Sequence, residues 1–168
     1  RETTKNHYPV KVFITGATGF LGSYLAKALL AQGHEVSALK RATSSLYMLG
    51  DAASHITWHE GDVNDVLSLE EAMRGAEHVY HAAAMLAFGG DSFDKMLKIN
   101  VEGTANVVNV AMSQGAQKLM YVSSITALGK GKDNNAIDES GDWADSPMES
   151  QYGHTKYLGE LEVWRGIA

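Results

Sequence analysis

A chain of 168 residues with 45% apolar, 20% charged and 8% aromatic residues has the size and composition of one folded domain, which excludes a disordered tail or a coiled coil. Its formal charge of −6, from 14 Lys and Arg against 20 Asp and Glu with no cationic cluster, argues against nucleic acid as a partner. With no cysteine there are no disulfides, thiolate nucleophiles or iron–sulfur ligands, and no apolar run approaches the roughly 20 residues that span a bilayer, so no membrane partner is expected.

The opening residues Arg1 to Pro9 carry no apolar signal core, so the expected compartment is the cytoplasm. Val10–Thr15 is an apolar, β-branched run that ends abruptly in Gly16-Ala-Thr-Gly19-Phe-Leu-Gly22, which predicts a buried strand feeding a glycine turn. Leu21, Leu25, Ala28 and Leu29 recur at helical spacing and predict a helix over Phe20–Gln32, closed by Gly33. A strand over Glu35–Leu39 follows, then a short helix near Ser44–Leu49, a strand at His55–His59, a helix at Val66–Arg74 closed by Gly75, and a strand at Glu77–Ala82. One long helix, Ser92–Gln114, puts Met96, Leu97, Val101, Ala105, Val108 and Met112 on one face before Gly115. Lys118–Ser123 is the fifth strand, Gly129–Glu149 a long polar loop, and Ser150–Arg165 a last helix.

Five strands alternating with helices predict an α/β fold: a doubly wound parallel sheet in the order 3-2-1-4-5, with right-handed crossovers and helices on both faces. The whole of 1–168 is expected to form one dinucleotide-binding Rossmann domain.

The glycine turn carries the first chemistry. Gly16 permits a tight turn, Gly19 lets a pyrophosphate approach the backbone, and Gly22 lets the helix pack close to the sheet, with Thr18 inside the turn. The helix N-terminus adds free N–H groups and a positive dipole end for phosphate. A site reading the ribose of NAD would place Asp or Glu at the end of the second strand. Here Leu39-Lys40-Arg41-Ala-Thr-Ser-Ser has two cations and no acid, which suits a 2′-phosphate because arginine offers a planar fork to phosphate oxygens. NADP(H) is therefore the expected cofactor, with NAD(H) as the alternative; the bland reading makes Lys40 and Arg41 solvated loop charges.

Tyr152-Gly-His-Thr-Lys156 sets a phenol and an ammonium four residues apart, on one face of a helix. A neighbouring cation favours phenolate and lowers a phenol pKa that is otherwise about 10, so Tyr152 is expected to exchange a proton with a carbonyl or hydroxyl oxygen. Ser124 lies just past the fifth strand, at the carboxyl edge where open α/β sheets bind ligands, and its hydroxyl can hold the reacting oxygen; Ser123 is the competing candidate. No metal is expected: His78 and His81 would point to opposite faces of a strand, His55 and His59 lack a third ligand, and the acidic stretch 133–145 lacks calcium-loop spacing. Trp143 either lines a substrate entrance or packs.

Six segments in order, TGATGFLG at 15–22, GDV at 61–63, VYHAAA at 79–84, NVEGT at 100–104, YVSSITALG at 121–129 and YGHTK at 152–156, resemble the extended short-chain dehydrogenase/reductase family, the NAD-dependent epimerase/dehydratase group. VSALKRATS at 36–44 is most similar to its dihydroflavonol-4-reductase-like branch. The resemblance implies Ser124, Tyr152 and Lys156 as catalytic residues, with Asn100 supporting the lysine through water. It implies that Gly16, Gly19, Phe20, Leu21 and Gly22 hold the pyrophosphate, Asp62 and Val63 the adenine, and that Ala82, Ala83 and Ala84 form the turn beneath the cofactor ribose. Arg41 would meet the 2′-phosphate, Tyr152 and Lys156 would also touch the cofactor, and Asp138-Glu139 would open a substrate-side loop. Such proteins continue into a C-terminal substrate lobe, which is expected to be missing here. Ile125 and Thr126 after the serine, in place of an aromatic, disfavour a nucleotide-sugar substrate.

These readings converge on an NADP(H)-dependent oxidoreductase that passes a hydride between nicotinamide and a small-molecule carbonyl or secondary alcohol. A nucleotide-sugar epimerase or dehydratase with bound NAD(P), and a non-catalytic dinucleotide-binding module, remain the alternatives. The resemblance also implies a homodimer through the Ser92–Gln114 and Tyr/Lys helices, although burial within one subunit would explain the same apolar face.

Overall fold

A computed structural model describes residues 8–87, 89, 92–128, 138–139, 143 and 150–167. Five parallel strands, β1 (Lys11–Thr15), β2 (Glu35–Lys40), β3 (Thr57–Glu60), β4 (His78–His81) and β5 (Lys118–Tyr121), pair in the order β3-β2-β1-β4-β5. The doubly wound sheet expected from the alternation is thus present, with β1 at its centre: Ile14 pairs with Ala38 of β2 and with Tyr80 of β4. Alternate β1 residues feed two cores because successive side chains leave a strand on opposite faces. Val12 and Ile14 join Ala26, Leu29, Val36, Leu49 and Ile56 on one side, packed under α1 (Phe20–Ala31). Phe13 joins Leu69, Met73, Val79 and Val107 on the other, under α2 (Val66–Ala72) and α4 (Gly103–Ser113). Each fully buried Val, Leu or Ile side chain stabilises by about 1.5–3 kcal/mol. No helix among the described residues is long and apolar enough to cross a membrane.

Two segments depart from the sequence expectations. The short helix expected near Ser44–Leu49 is absent; a 3-10 turn runs instead over Gly50–His55, and β3 begins two residues later than expected, at Thr57. Ser44 and Ser45 direct their hydroxyls to the backbone N–H groups of Arg41 and Tyr47, which closes tight turns where a helix would need its own ladder. The long helix is present but interrupted. α3 (Phe93–Leu97) passes through a π-helical turn, Lys98–Glu102, before α4. A π turn inserts one residue and rotates everything after it by about 100°. The buried face of α4 is therefore Thr104, Val107, Val108, Val110 and Ala111, while Met112, expected in the core stripe, is 57% exposed.

The last helix, α5 (Gln151–Arg165), is capped by Ser150, whose hydroxyl accepts the Gly153 N–H at 2.9 Å. Apart from Asp138, Glu139 and Trp143, the loop expected over 129–149 lies outside the described residues. Asp138 and Glu139 are exposed. Trp143 packs: its ring stacks on Tyr157 at 4.8 Å and on His154 at 5.7 Å, both on α5.

Candidate active site

A cleft of about 450 Å³ opens over the carboxyl ends of β1, β2 and β4, where open α/β sheets bind ligands. Gly16, Thr18, Gly19, Lys40, Arg41, Asp62, Val63, Ala82, Ala83 and Ala84, all assigned to the cofactor from the sequence, line it, together with Ser44 and Met85. The glycines shape its floor. Gly16 has φ +77°, and a Cβ there would lie 2.6 Å from the Ala82 carbonyl carbon; at Gly22 a Cβ would overlap the Gly16 carbonyl oxygen. Gly19 starts α1 without a capping side chain among the described residues, which leaves the first helical N–H groups available to an anion. Phe20 and Leu21, 71% and 52% exposed, sit on that first turn rather than in the cleft lining.

At the end of β2 the two cations part company. Lys40 Nζ pairs with Glu60 at 3.8 Å, whereas the Arg41 guanidinium forms no ion pair among the described residues. The Arg41 backbone N–H donates to Ser44 Oγ at 3.1 Å, which ties Ser44, also in the lining, to the same corner. Asp62 is held by accepting the Asn64 backbone N–H at 2.9 Å, and its own N–H donates to Ser68 Oγ at 3.3 Å.

The predicted catalytic residues lie on neighbouring elements: Ser124 follows β5, and α5, which carries Tyr152 and Lys156, packs against the turn after it. Ser124 caps the 3-10 turn Ile125–Ala127, its Oγ accepting the Thr126 N–H at 3.2 Å and lying 2.8 Å from Thr126 Oγ1. Ser123 is separated from it by burial: its hydroxyl is enclosed and has no hydrogen-bond partner among the described residues. A Cβ on Gly153 would come within 2.6 Å of the Thr126 carbonyl oxygen, so glycine beside Tyr152 lets the first turn of α5 press against the turn that Ser124 caps. Lys156, 1% exposed, donates from Nζ to the Val122 carbonyl at 2.8 Å.

The electrostatics correct one expectation. Burial pushes the Tyr152 phenol above its usual value, rather than the lysine drawing it down. Lys156 is itself lowered to about 8 by burial, which Glu160 partly opposes. Asn100 reaches Thr155, the neighbour of Lys156, with Nδ2 to Thr155 Oγ1 at 2.9 Å. The same side chain clamps Met85, accepting its N–H at 2.7 Å and donating to its carbonyl at 2.9 Å.

Sequence reasoning weighed His81 only as a metal ligand and missed its place at the centre of a buried polar chain. The Thr104 hydroxyl donates to the Asn100 carbonyl at 2.7 Å, so Thr104 Oγ1 accepts from His81 Nε2–H at 2.9 Å. His81 Nδ1 is then left to accept the Thr15 hydroxyl at 2.6 Å, and Thr15 Oγ1 accepts the Ala83 N–H at 3.3 Å. Burial, aided by the charge of Lys156, holds His81 down at about 3, so the imidazole is neutral and keeps this direction. Through Asn100 and Thr155, whose hydroxyl donates to the Tyr152 carbonyl at 2.9 Å, the chain joins the alanine turn of the cleft to the Tyr/Lys helix. The signal was available in VYHAAA, where a histidine sits at the carboxyl end of the central strand pair.

Sheet order, glycine cradle and docked Tyr-x-x-x-Lys helix together define a doubly wound fold of the nucleotide-binding class. The profile of the NAD dependent epimerase/dehydratase family matches residues 12–166, and the chain belongs to that family. It is 36% identical over 154 residues to a Synechocystis sp. protein with the provisional name dihydroflavonol 4-reductase, covering 90% of this chain and 43% of that one. It is 32% identical over 148 residues to the 2-alkyl-3-oxoalkanoate reductase of Shewanella oneidensis, covering 88% and 37%. Among solved structures it is similar to Bordetella bronchiseptica WbmG in complex with NAD and UDP, at 29% identity and a TM-score of 0.80, covering 94% of this chain and 50% of that one. The chain spans less than half the length of these two curated relatives.

Proposed function

We propose that the protein is an NADP(H)-dependent oxidoreductase acting on a carbonyl or secondary alcohol. The observation that carries this reading is the cleft itself, continuous from the glycine turn to Lys40, Arg41 and Ser44 with no carboxylate at the end of β2. The fit is steric as well as chemical: Cβ atoms at Gly16 and Gly22 would fill or distort the cradle that a pyrophosphate needs. When bound, the nicotinamide would supply or accept the hydride.

The chain's own residues would do the rest. Arg41, free of any ion pair among the described residues, would meet the 2′-phosphate, while Asp62 and Val63 would flank the adenine. Ser124 would hold the reacting oxygen, and Tyr152 would give it a proton. A phenol that burial keeps protonated at neutral pH is ready as a donor, which favours reduction of a carbonyl. Lys156 would bring a positive charge beside that transfer, and Asn100 would fix the helix that carries both.

Titration with NADPH and NADH tests the cofactor assignment. Saturable binding with NADPH preferred is the expected result, and Arg41→Gln is expected to weaken NADPH by about 10- to 100-fold while leaving NADH nearly unchanged. Equal weakening of both would remove the 2′-phosphate role. The likeness to WbmG, whose complex holds NAD and UDP, favours a second reading as a nucleotide-sugar epimerase or dehydratase. That reading requires cofactor to stay bound through purification and no net consumption of NADPH with simple ketones.

The reading extends to a homodimer across the exposed Met112 of α4 and Leu161 and Trp164 of α5. Light scattering should then give a dimer mass for the protein and a monomer mass for Trp164→Glu; a monomer in both cases would remove the interface.

A further inference from the structure

Lys156 is buried with a single hydrogen bond among the described residues, from Nζ to the Val122 carbonyl. An ammonium has three donors, and among the described residues no carboxylate lies within ion-pair distance of this one. What it has instead is a ring: Nζ stands 4.1 Å from the centroid of Tyr121 on β5. An ammonium over an aromatic face is attracted by the ring quadrupole, most strongly where water is excluded.

The helix is cut away to admit that ring. A Cβ at Gly159, one turn after Lys156, would lie 2.5 Å from the Tyr121 hydroxyl oxygen and 2.7 Å from the Asn100 carbonyl oxygen. Glycine inside a helix is unfavourable, so the space it leaves has a use. The hydroxyl fills that space with Thr104 as its polar neighbour and makes no hydrogen bond of ordinary geometry among the described residues, so it is not the group that meets the Lys156 charge. Nor is a phenolate: burial drives Tyr121 far above the ordinary phenol range. Among the described residues, the other groups around Lys156 are neutral or make no ion pair with it. His81 on β4, its ring 5.6 Å from that of Tyr121, is uncharged, Asn100 is an amide, Tyr152 keeps its proton, and Glu160 on α5 acts without an ion pair.

We propose that Tyr121, whose hydroxyl end Gly159 admits, is a positioning residue whose ring face holds the Lys156 ammonium, charged, beside the Val122 carbonyl. Its catalytic meaning rests on Lys156 belonging to the proposed active site; the contact itself does not.

The test follows the Lys156 15Nζ resonance by heteronuclear NMR as pH is raised. Tyr121→Phe, which keeps the ring, should leave the titration midpoint in place, and Tyr121→Leu should lower it by about one pH unit, because the charged form loses its compensating contact. Should the Leu variant fail to fold, phenylalanines with increasing fluorination at position 121 keep the shape while weakening the ring face, and the midpoint should fall with each step. A flat fluorinated series, or a Phe variant that shifts as far as Leu, overturns the role of Tyr121. NADPH binding measured on the same samples is independent: its absence would overturn the proposed function alone.

Discussion

Tyr152→Phe is expected to lower kcat with NADPH and a ketone or aldehyde by about 10²- to 10⁴-fold, the range that general acid catalysis contributes, while NADPH binding is largely retained. The substitution removes one oxygen from a half-buried ring and leaves the cleft lining untouched, so a loss confined to turnover identifies a proton transfer. Steady-state kinetics beside a fluorescence titration separates the two, and undiminished turnover would end the assignment. The pH dependence has a definite sign. Burial raises Tyr152, so the proton is present throughout the neutral range, whereas Lys156 titrates at about 8 and loses its charge above that pH. Turnover that depends on the ammonium should therefore fall as pH rises through about 8. Stability should do the opposite over the same interval. An unfolded lysine binds its proton up to the ordinary value of 10.5, so between about 8 and 10.5 the unfolded state holds more protons and the Lys156 contribution to stability grows with pH.

How far the sequence could be read depended on whether a feature is periodic or local. Strand order and the glycine cradle were legible because alternation, β-branched runs and the placement of Gly16, Gly19 and Gly22 are local in the chain. The π turn at Lys98–Glu102 was not, since a single inserted residue leaves the apolar spacing on either side intact and only rotates one half against the other. The missing helix near Ser44 was a failure of a different kind: two serine hydroxyls outcompeted helical hydrogen bonds over a segment too short to have a period. Hydrogen-bond partners lay furthest from view. Asn100 and Thr155 are 55 residues apart, and Thr15 and His81 are 66 apart, and no pattern within the chain announces that they meet.

Those distant meetings carry the second large expectation. Asn100→Ala should lower the free energy of unfolding by about 2–3 kcal/mol, which corresponds to a fall in Tm of roughly 5–10 °C for a chain of this size. Asn100 is 1% exposed, and its amide supplies every polar atom to a use: two bonds to Met85 and one to Thr155. Truncation strips the partner from the Met85 N–H and carbonyl, and the Thr155 hydroxyl loses a donor while keeping its own bond to the Tyr152 carbonyl. Part of the loss is softened because Met85 borders the cleft, where water can reach it. Thr155→Val removes the other end of one of these bonds, so the two substitutions share an interaction. Their combined effect should fall short of the sum by about 0.5–1 kcal/mol in denaturant unfolding. Strict additivity would mean that the contact between the π turn and α5 does not couple them, and the alanine turn and the Tyr/Lys helix would then be held in place independently. Coupling, by contrast, would explain why a fully buried amide stands in the π turn of the long helix: there it fixes the backbone of the cleft and the helix that carries Tyr152 and Lys156 with a single side chain.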